Sequence, residues 1–378
     1  VTLKDGAVGA AGTATSVAGI PLFTADNSIY THDVSGTDDT ASSNAAYGIE
    51  ALDAVTTGDE NVAIGRKALT DLNTGAGNVA VGMEAGEDNT TGSQNVAIGK
   101  QAGTKTSSNS VAVGFQTLRN NTGTGNIAIG KETAKSNTSG VRIIAIGTEA
   151  YDAADTENDN LAIGEGALGG SVAGGEYNVA VGNYSLDALT SGDFNTAVGY
   201  ISGSAITTGS NNTGVGNQSI ENLTTGSDNT AGGSGGLNAL TEGSSNTAFG
   251  RAALGAVTTA SNNTALGNHA GLGITTGADN IAIGYQAIDA ADTEGNNLAI
   301  GKAALGGAIA GGEFNVAIGN TAFEDLTSGD YNIAIGYQAG KEMQSGSRNV
   351  MIGHRAGDNI VASSSNVIIG DEAIGTGV

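Results

Sequence analysis

From residue 44 onward, apolar and polar positions follow one short pattern: Asn, a β-branched residue, Ala, Ile or Val, then Gly. Clear copies are Asn61-Val62-Ala63-Ile64-Gly65, Asn95-Val96-Ala97-Ile98-Gly99 and Asn332-Ile333-Ala334-Ile335-Gly336. β-Branched residues between turn formers predict a short strand, whose successive side chains point to opposite faces. Val62 and Ile64 therefore share one face, and Asn61, Ala63 and Gly65 the other. Twenty copies follow one another, the first ending at Gly48 and the last at Gly370. Most are spaced by one regular interval, as from Gly48 to Gly65 and from Gly65 to Gly82, a period of about 17 residues. Gly99 to Gly114 is two residues shorter and Gly114 to Gly130 one shorter, whereas Gly164 to Gly182 and Gly301 to Gly319 are one longer. So constant a period predicts an all-β fold, a repetitive β-solenoid or β-roll rod of about 20 coils. At a strand spacing of about 4.8 Å, the stack would span on the order of 95 Å.

No Asp, Glu, Lys or Arg occurs in the twenty motif copies, although charged residues make up 14% of the chain. A strand without charge on either face is predicted to be buried on both, one inside its own coil and one against a second sheet or another chain. Three residues after each glycine comes Ala in fourteen copies, including Ala68, Ala85 and Ala102. It is often followed by a large apolar residue such as Leu69, Leu118, Leu254, Ile288 or Phe323. This predicts a second, shorter inward segment, with Arg66-Lys67 and Tyr285-Gln286 lying outside. The rest of each coil reads as a turn, as in Thr56-Thr57-Gly58, Thr225-Gly226 and Ser328-Gly329, where glycine is expected to supply a positive φ.

Eighteen of the twenty motif-initial residues are Asn; the exceptions are Ser110 and Ile143. Stacking places these amides one above another, a predicted structural ladder through Asn61, Asn78, Asn95, Asn126, Asn160, Asn178, Asn195, Asn212, Asn229, Asn246, Asn263, Asn280, Asn297, Asn315, Asn332, Asn349 and Asn366. A longer repeat overlies the coils. Asp152-Ala153-Ala154-Asp155-Thr156-Glu157 returns eight coils later as Asp289-Ala290-Ala291-Asp292-Thr293-Glu294. Residues 1–43 lack the motif and read as an N-terminal cap or attachment segment before a repeat shaft over 44–378.

Composition narrows the function classes. The 378 residues include 63 Gly, one Pro, no Cys and no Trp, with 4% aromatics, which does not suit one large globular core. A formal charge of -24 opposes binding to nucleic acid phosphates. Without cysteine there is no disulfide framework or thiolate metal site, and no apolar run is long enough to insert in a membrane as a helix.

The strings Asn332-Ile333-Ala334-Ile335-Gly336-Tyr337-Gln338-Ala339 and Asn280-Ile281-Ala282-Ile283-Gly284-Tyr285-Gln286-Ala287 resemble repeats of phage tail-fibre and tail-appendage proteins. The resemblance runs from Asn44 to the end of the sequence. The Val-Ala-Ile-Gly-like strand is also similar to the head repeats of trimeric autotransporter adhesins. Both resemblances imply a parallel homotrimer, in which an uncharged strand face is an interchain contact.

Catalytic constellations are missing. His32, His269 and His354 are far apart in sequence, and no nucleophile elbow, zinc-type His pair or phosphate loop occurs. The acidic turn with Asp152, Asp155, Glu157 and Asp159 reads as a solvated loop, the alternative being a surface cation site. Thr196, Thr213, Thr230, Thr247 and Thr264 occupy the same motif position in five successive coils, the feature that raises ice binding; that face is expected to be buried. The sequence thus points away from an enzyme and implies no cofactor. It predicts a structural fibre shaft on a virion or outside the cell that spaces or presents a receptor-binding end, its partner a cell-surface receptor or glycan. The alternative is a bacterial surface adhesin or extracellular filament subunit.

Overall fold

The computed structural model describes residues 15–17, 20–25, 28–30, 40–290, 293–307 and 311–374. They fall in two compact units, Val1–Asn178 and Val179–Val378. Each unit is a β-solenoid.

In the first unit, β1 (Thr15–Val17), β2 (Ile20–Ala25) and β3 (Ser28–Tyr30) pair antiparallel in sequence order. β3 then pairs in parallel with β4 (Ala45–Tyr47), the first repeat strand. Seven more short strands follow, from β5 (Val62–Ile64) to β11 (Leu161–Ile163), each parallel to the one before. The second unit continues the pattern with twelve strands, from β12 (Val179–Val181) to β23 (Val367–Ile369). Register never slips within either unit. Val62 pairs with Val79, Val96 with Val111 across a shortened coil, and Leu298 with Val316 across a lengthened one. Length changes are therefore absorbed in the turns.

Each coil closes its own core. The Asn/Ala face of the strand points inward: Asn61 and Ala63 are fully buried. Ala68 and Leu69 join them, as the predicted second inward segment. A third inward position, four residues further along, is filled by Val55, Leu72, Leu189, Ile206, Leu223, Leu240, Val257, Ile274, Leu326 and Met343. Of the two covers predicted for the outer strand face, a second sheet of the same coil is absent among the described residues. Val62 and Ile64 face outward, and Ile64 is 44% exposed. The outward face is uncharged although its own coil does not cover it.

The corners also differ from expectation. Gly58, Gly92, Gly123, Gly192, Gly226 and Gly277 do not have a positive φ, although Gly329 does. Glycine at these turns lets the coils approach closely. A Cβ on Gly58 would stand 2.3 Å from the Gly75 carbonyl oxygen in the next coil. The left-handed conformations fall mostly on other residues: Glu60 (φ 59°), Lys67 (60°) and Leu69 (51°), and their counterparts around the solenoids. Each costs on the order of 1–2 kcal/mol in isolation. Here each is fixed by a bond to a neighbouring coil: Glu60 N–H to Ser42 O, Lys67 N–H to Ile49 O, and Leu69 N–H to Ala85 O.

Candidate functional site: the asparagine ladder and the outward strand face

The strand puts each motif asparagine inside the coil, directly over the one before, so its amide must be satisfied there. In the second unit, the Oδ1 of each ladder asparagine from Asn195 to Asn349 accepts the backbone N–H of the next at 3.0–3.1 Å. Most also accept the next amide, as when Asn212 Nδ2 donates to Asn195 Oδ1 at 3.1 Å. Each Nδ2 further donates to a turn carbonyl of the following coil, such as Asn212 to Gly226 at 2.9 Å. In the first unit, Asn61, Asn78, Asn95 and Ser110 donate their N–H groups to the preceding asparagine at 2.8–3.0 Å. Ser110 Oγ then receives the N–H of Asn126 at 3.3 Å.

Ile143 interrupts this line, because it offers no acceptor to Asn160. Tyr151 compensates. Its ring fills the inward position where Leu69 and Leu168 stand in other coils, and its hydroxyl accepts from Asn160 Nδ2 at 3.1 Å and donates to Glu157 O at 3.2 Å. Burial drives the Tyr151 phenol well above its ordinary value, so it stays protonated as a donor. In the corresponding coil of the second unit, Asn280 stands in place of Ile143 and Ile288 in place of Tyr151.

Several buried polar residues escaped the sequence reading. Asn89, Thr106, Asn121 and Asn137 occupy the third inward position, where other coils have aliphatics. Asn121 Oδ1 accepts from Gly123 N–H, Asn126 Nδ2 and Asn137 Nδ2 at 3.0–3.1 Å. The signal was present as a break in the Leu/Val column. Glu157 and Glu294 are likewise buried, which corrects the solvated-loop expectation at Glu157, whereas Asp155 is exposed and Asp152 and Asp159 are half-buried. Both take the place of a turn glycine, and both precede a lengthened coil. Glu157 Oε1 accepts the N–H of Gly174 at 3.0 Å, and Glu294 Oε1 that of Gly311 at 2.8 Å. The extra residue of each long coil is thus tied to a carboxylate below it. Burial raises the Glu294 carboxyl, but hydrogen bonds from Thr293 and Gly311 outweigh it and hold the group below its ordinary value.

Outside, each unit presents two columns of Val, Ile, Leu and Thr side chains. Thr196, Thr213, Thr230, Thr247 and Thr264 are half-buried on this face. The column beside them is uneven: Val198, Val215, Gly232, Phe249, Leu266. Aromatic residues stand along both margins. Phe314 stacks on Tyr331 with ring centres 5.0 Å apart, and Tyr337 on His354 at 5.6 Å. Ion pairs such as Arg66 with Glu84 and Arg142 with Asp159 link successive coils at the surface, where each contributes little. His269 is half-buried, His354 is exposed 2.9 Å from Asp371, and His32 lies outside the described residues.

Among the described residues, no three His, Asp or Glu side chains form a cluster able to hold a metal ion, and no helix is long and apolar enough to cross a membrane. No family model matches the chain, and no curated protein matches it.

Proposed function

We propose that the chain is a structural fibre shaft, of the virion tail-fibre kind, that spaces or presents a receptor-binding end outside the cell. It works as a parallel homotrimer, takes no cofactor, catalyses no reaction, and neither binds nucleic acid nor inserts in a membrane. The observation that carries this reading is the outward Val/Ile face, uncharged in every coil while the chain bears a formal charge of -24. Copies so acidic repel one another over most of their surface, and the strand face is where they can meet without that cost. A bacterial adhesin or extracellular filament would use the same shaft. Ice binding fits less well, because Gly232 and Phe249 make the column beside the threonines uneven.

Light scattering on the purified protein, with electron microscopy of the same sample, tests the proposal. A mass of about three chains in an elongated particle supports it. A mass of one chain overturns the trimeric shaft. Ile64→Lys with Ile129→Lys, both exposed on the face, should then dissociate the trimer without unfolding the coils.

A further inference from the structure

In a regular coil, two successive turn N–H groups converge on one carbonyl of the next coil. Thr56 and Thr57 donate to Asn73 O at 3.0 and 3.3 Å, and Asn73 and Thr74 to Thr90 O at 2.8 and 3.3 Å. In the second unit, Thr207 and Thr208 donate to Thr224 O at 2.9 and 3.3 Å. The next pair in the first unit is Thr90 and Thr91, and there the pattern fails. The coil from Gly99 to Gly114 is two residues short of the regular length. The missing pair would stand between the buried Thr106 and Ser107 and bring the carbonyl. The coil that follows, one residue short, supplies only Thr122, whose N–H goes onward to Thr138 O.

A slot is left between the two turns, a cavity of ≈ 300 Å³ lined by Asp88, Thr90, Thr91, Lys105, Ser107 and Thr122. Among the described residues, the N–H groups of Thr90 and Thr91 have no acceptor, and the Thr122 carbonyl receives no donor. The omitted turn is one strand layer thick, about 4.8 Å.

We propose that this slot binds a secondary amide, presented as the N-acetyl group of an amino sugar. The ladder lacks a C=O to take the Thr90 and Thr91 N–H groups, and N–H groups to give to Thr122 O, of which a bound amide supplies one. A trans secondary amide carries these on opposite sides. The flanking groups are already occupied: Gly92 N–H donates to Asn89 Oδ1 at 2.8 Å, and Asn89 Nδ2 to Gly92 O at 3.3 Å. One amide's worth of ladder is open, so an extended peptide finds no further rungs. The hydroxyls of Thr90, Thr91, Ser107 and Thr122, with Asp88 and the exposed Lys105 at the rim, suit a polyhydroxylated ring. This site is independent of the fibre reading.

The test is a titration of the full chain, with 15N-labelled threonine, by N-acetylglucosamine. The Thr90 and Thr91 amide signals should shift and saturate with a dissociation constant on the order of millimolar, as few hydrogen bonds in an open site allow. Glucosamine and glucose, which lack the amide, should not reproduce the shift. Inserting Thr-Thr between Thr106 and Ser107 restores the regular coil length and should abolish binding. Thr122→Trp, at an exposed position, should weaken it by about tenfold while the other signals stay in place. A shift that does not saturate, an equal response to glucose, or binding retained by the insertion variant overturns the proposal. So does a capped Thr-Thr dipeptide that binds more tightly than the sugar, which would make the slot a peptide site.

Discussion

The coils between Gly82 and Gly147 in the first unit and those between Gly182 and Gly284 in the second have the same strands and nearly the same ladder, but different interiors. At the third inward position the first has Asn89, Thr106, Asn121 and Asn137; the second has Leu189, Ile206, Leu223, Leu240, Val257 and Ile274. Coil length differs with it. The first stretch contains both shortened coils, whereas every coil of the second keeps the regular length. Aliphatic side chains stabilise the turn only by packing on the coils above and below, which demands equal lengths. An asparagine holds its own turn locally, as Asn137 Oδ1 does by accepting the Gly140 N–H at 3.0 Å. A turn held locally tolerates shortening, although the coil from Gly99 to Gly114 loses the turn-to-turn bonds of Thr90 and Thr91 in the process.

The strongest challenge to this comparison is Leu223→Asn, which moves the polar solution into the aliphatic stack. Lost burial and an amide among leucines should cost about 4 kcal/mol in a denaturant titration. A cost below about 1 kcal/mol would mean that local capping of Gly226 suffices anywhere, and the two interiors would be interchangeable.

Next in size is the ladder common to both stretches. Asn229→Ala removes the acceptor for the N–H and Nδ2 of Asn246 and the donor to Gly243 O. The expected loss is about 3 kcal/mol, with faster hydrogen exchange at Asn246. Asn121→Leu, the reverse of the first swap, strands the Gly123 N–H and two side-chain amides and should cost about 2 kcal/mol.

The Ile143/Tyr151 pair sharpens the comparison between duplicated coils. Tyr151→Ile alone should cost about 2 kcal/mol, because Asn160 and the Glu157 carbonyl lose the phenol. In an Ile143→Asn background the cost should fall, giving a coupling of about 1 kcal/mol in a double-mutant cycle.

The smallest effect is at Glu294. Its carboxyl is held below the ordinary value when folded, so it contributes stability above its unfolded pKa and loses it as pH falls through the folded one. Glu294→Gln should therefore be less stable than the native chain at neutral pH, by about 1 kcal/mol or less, and the gap should close on acidification.

Much of this was legible in sequence, because a fixed period turns one coil into a template for twenty. The strand, the stacked asparagines and the Ala68/Leu69 inward segment follow from side-chain type and spacing. The exposed Val/Ile face did not: absence of charge has the same signature whether a surface is covered or turned to solvent. Asn89 and Asn121 were hidden because asparagine is common in turns, and only their column shows that they point inward. The left-handed residues were hidden too. Lys67 and Leu69 have no intrinsic preference for that conformation; coil-to-coil hydrogen bonds impose it.

The unbroken strand register has a consequence for heredity. Since Val96 stays opposite Val111 whatever happens in the turn between them, the coding copies of the coils are interchangeable units. Unequal exchange between two such copies adds or deletes whole coils and leaves every remaining residue over its proper neighbour. The echo of Asp152–Glu157 in Asp289–Glu294, eight coils on, has the form such an event leaves behind. Length in this protein is a quantity that a single crossover can change without a new fold having to be found.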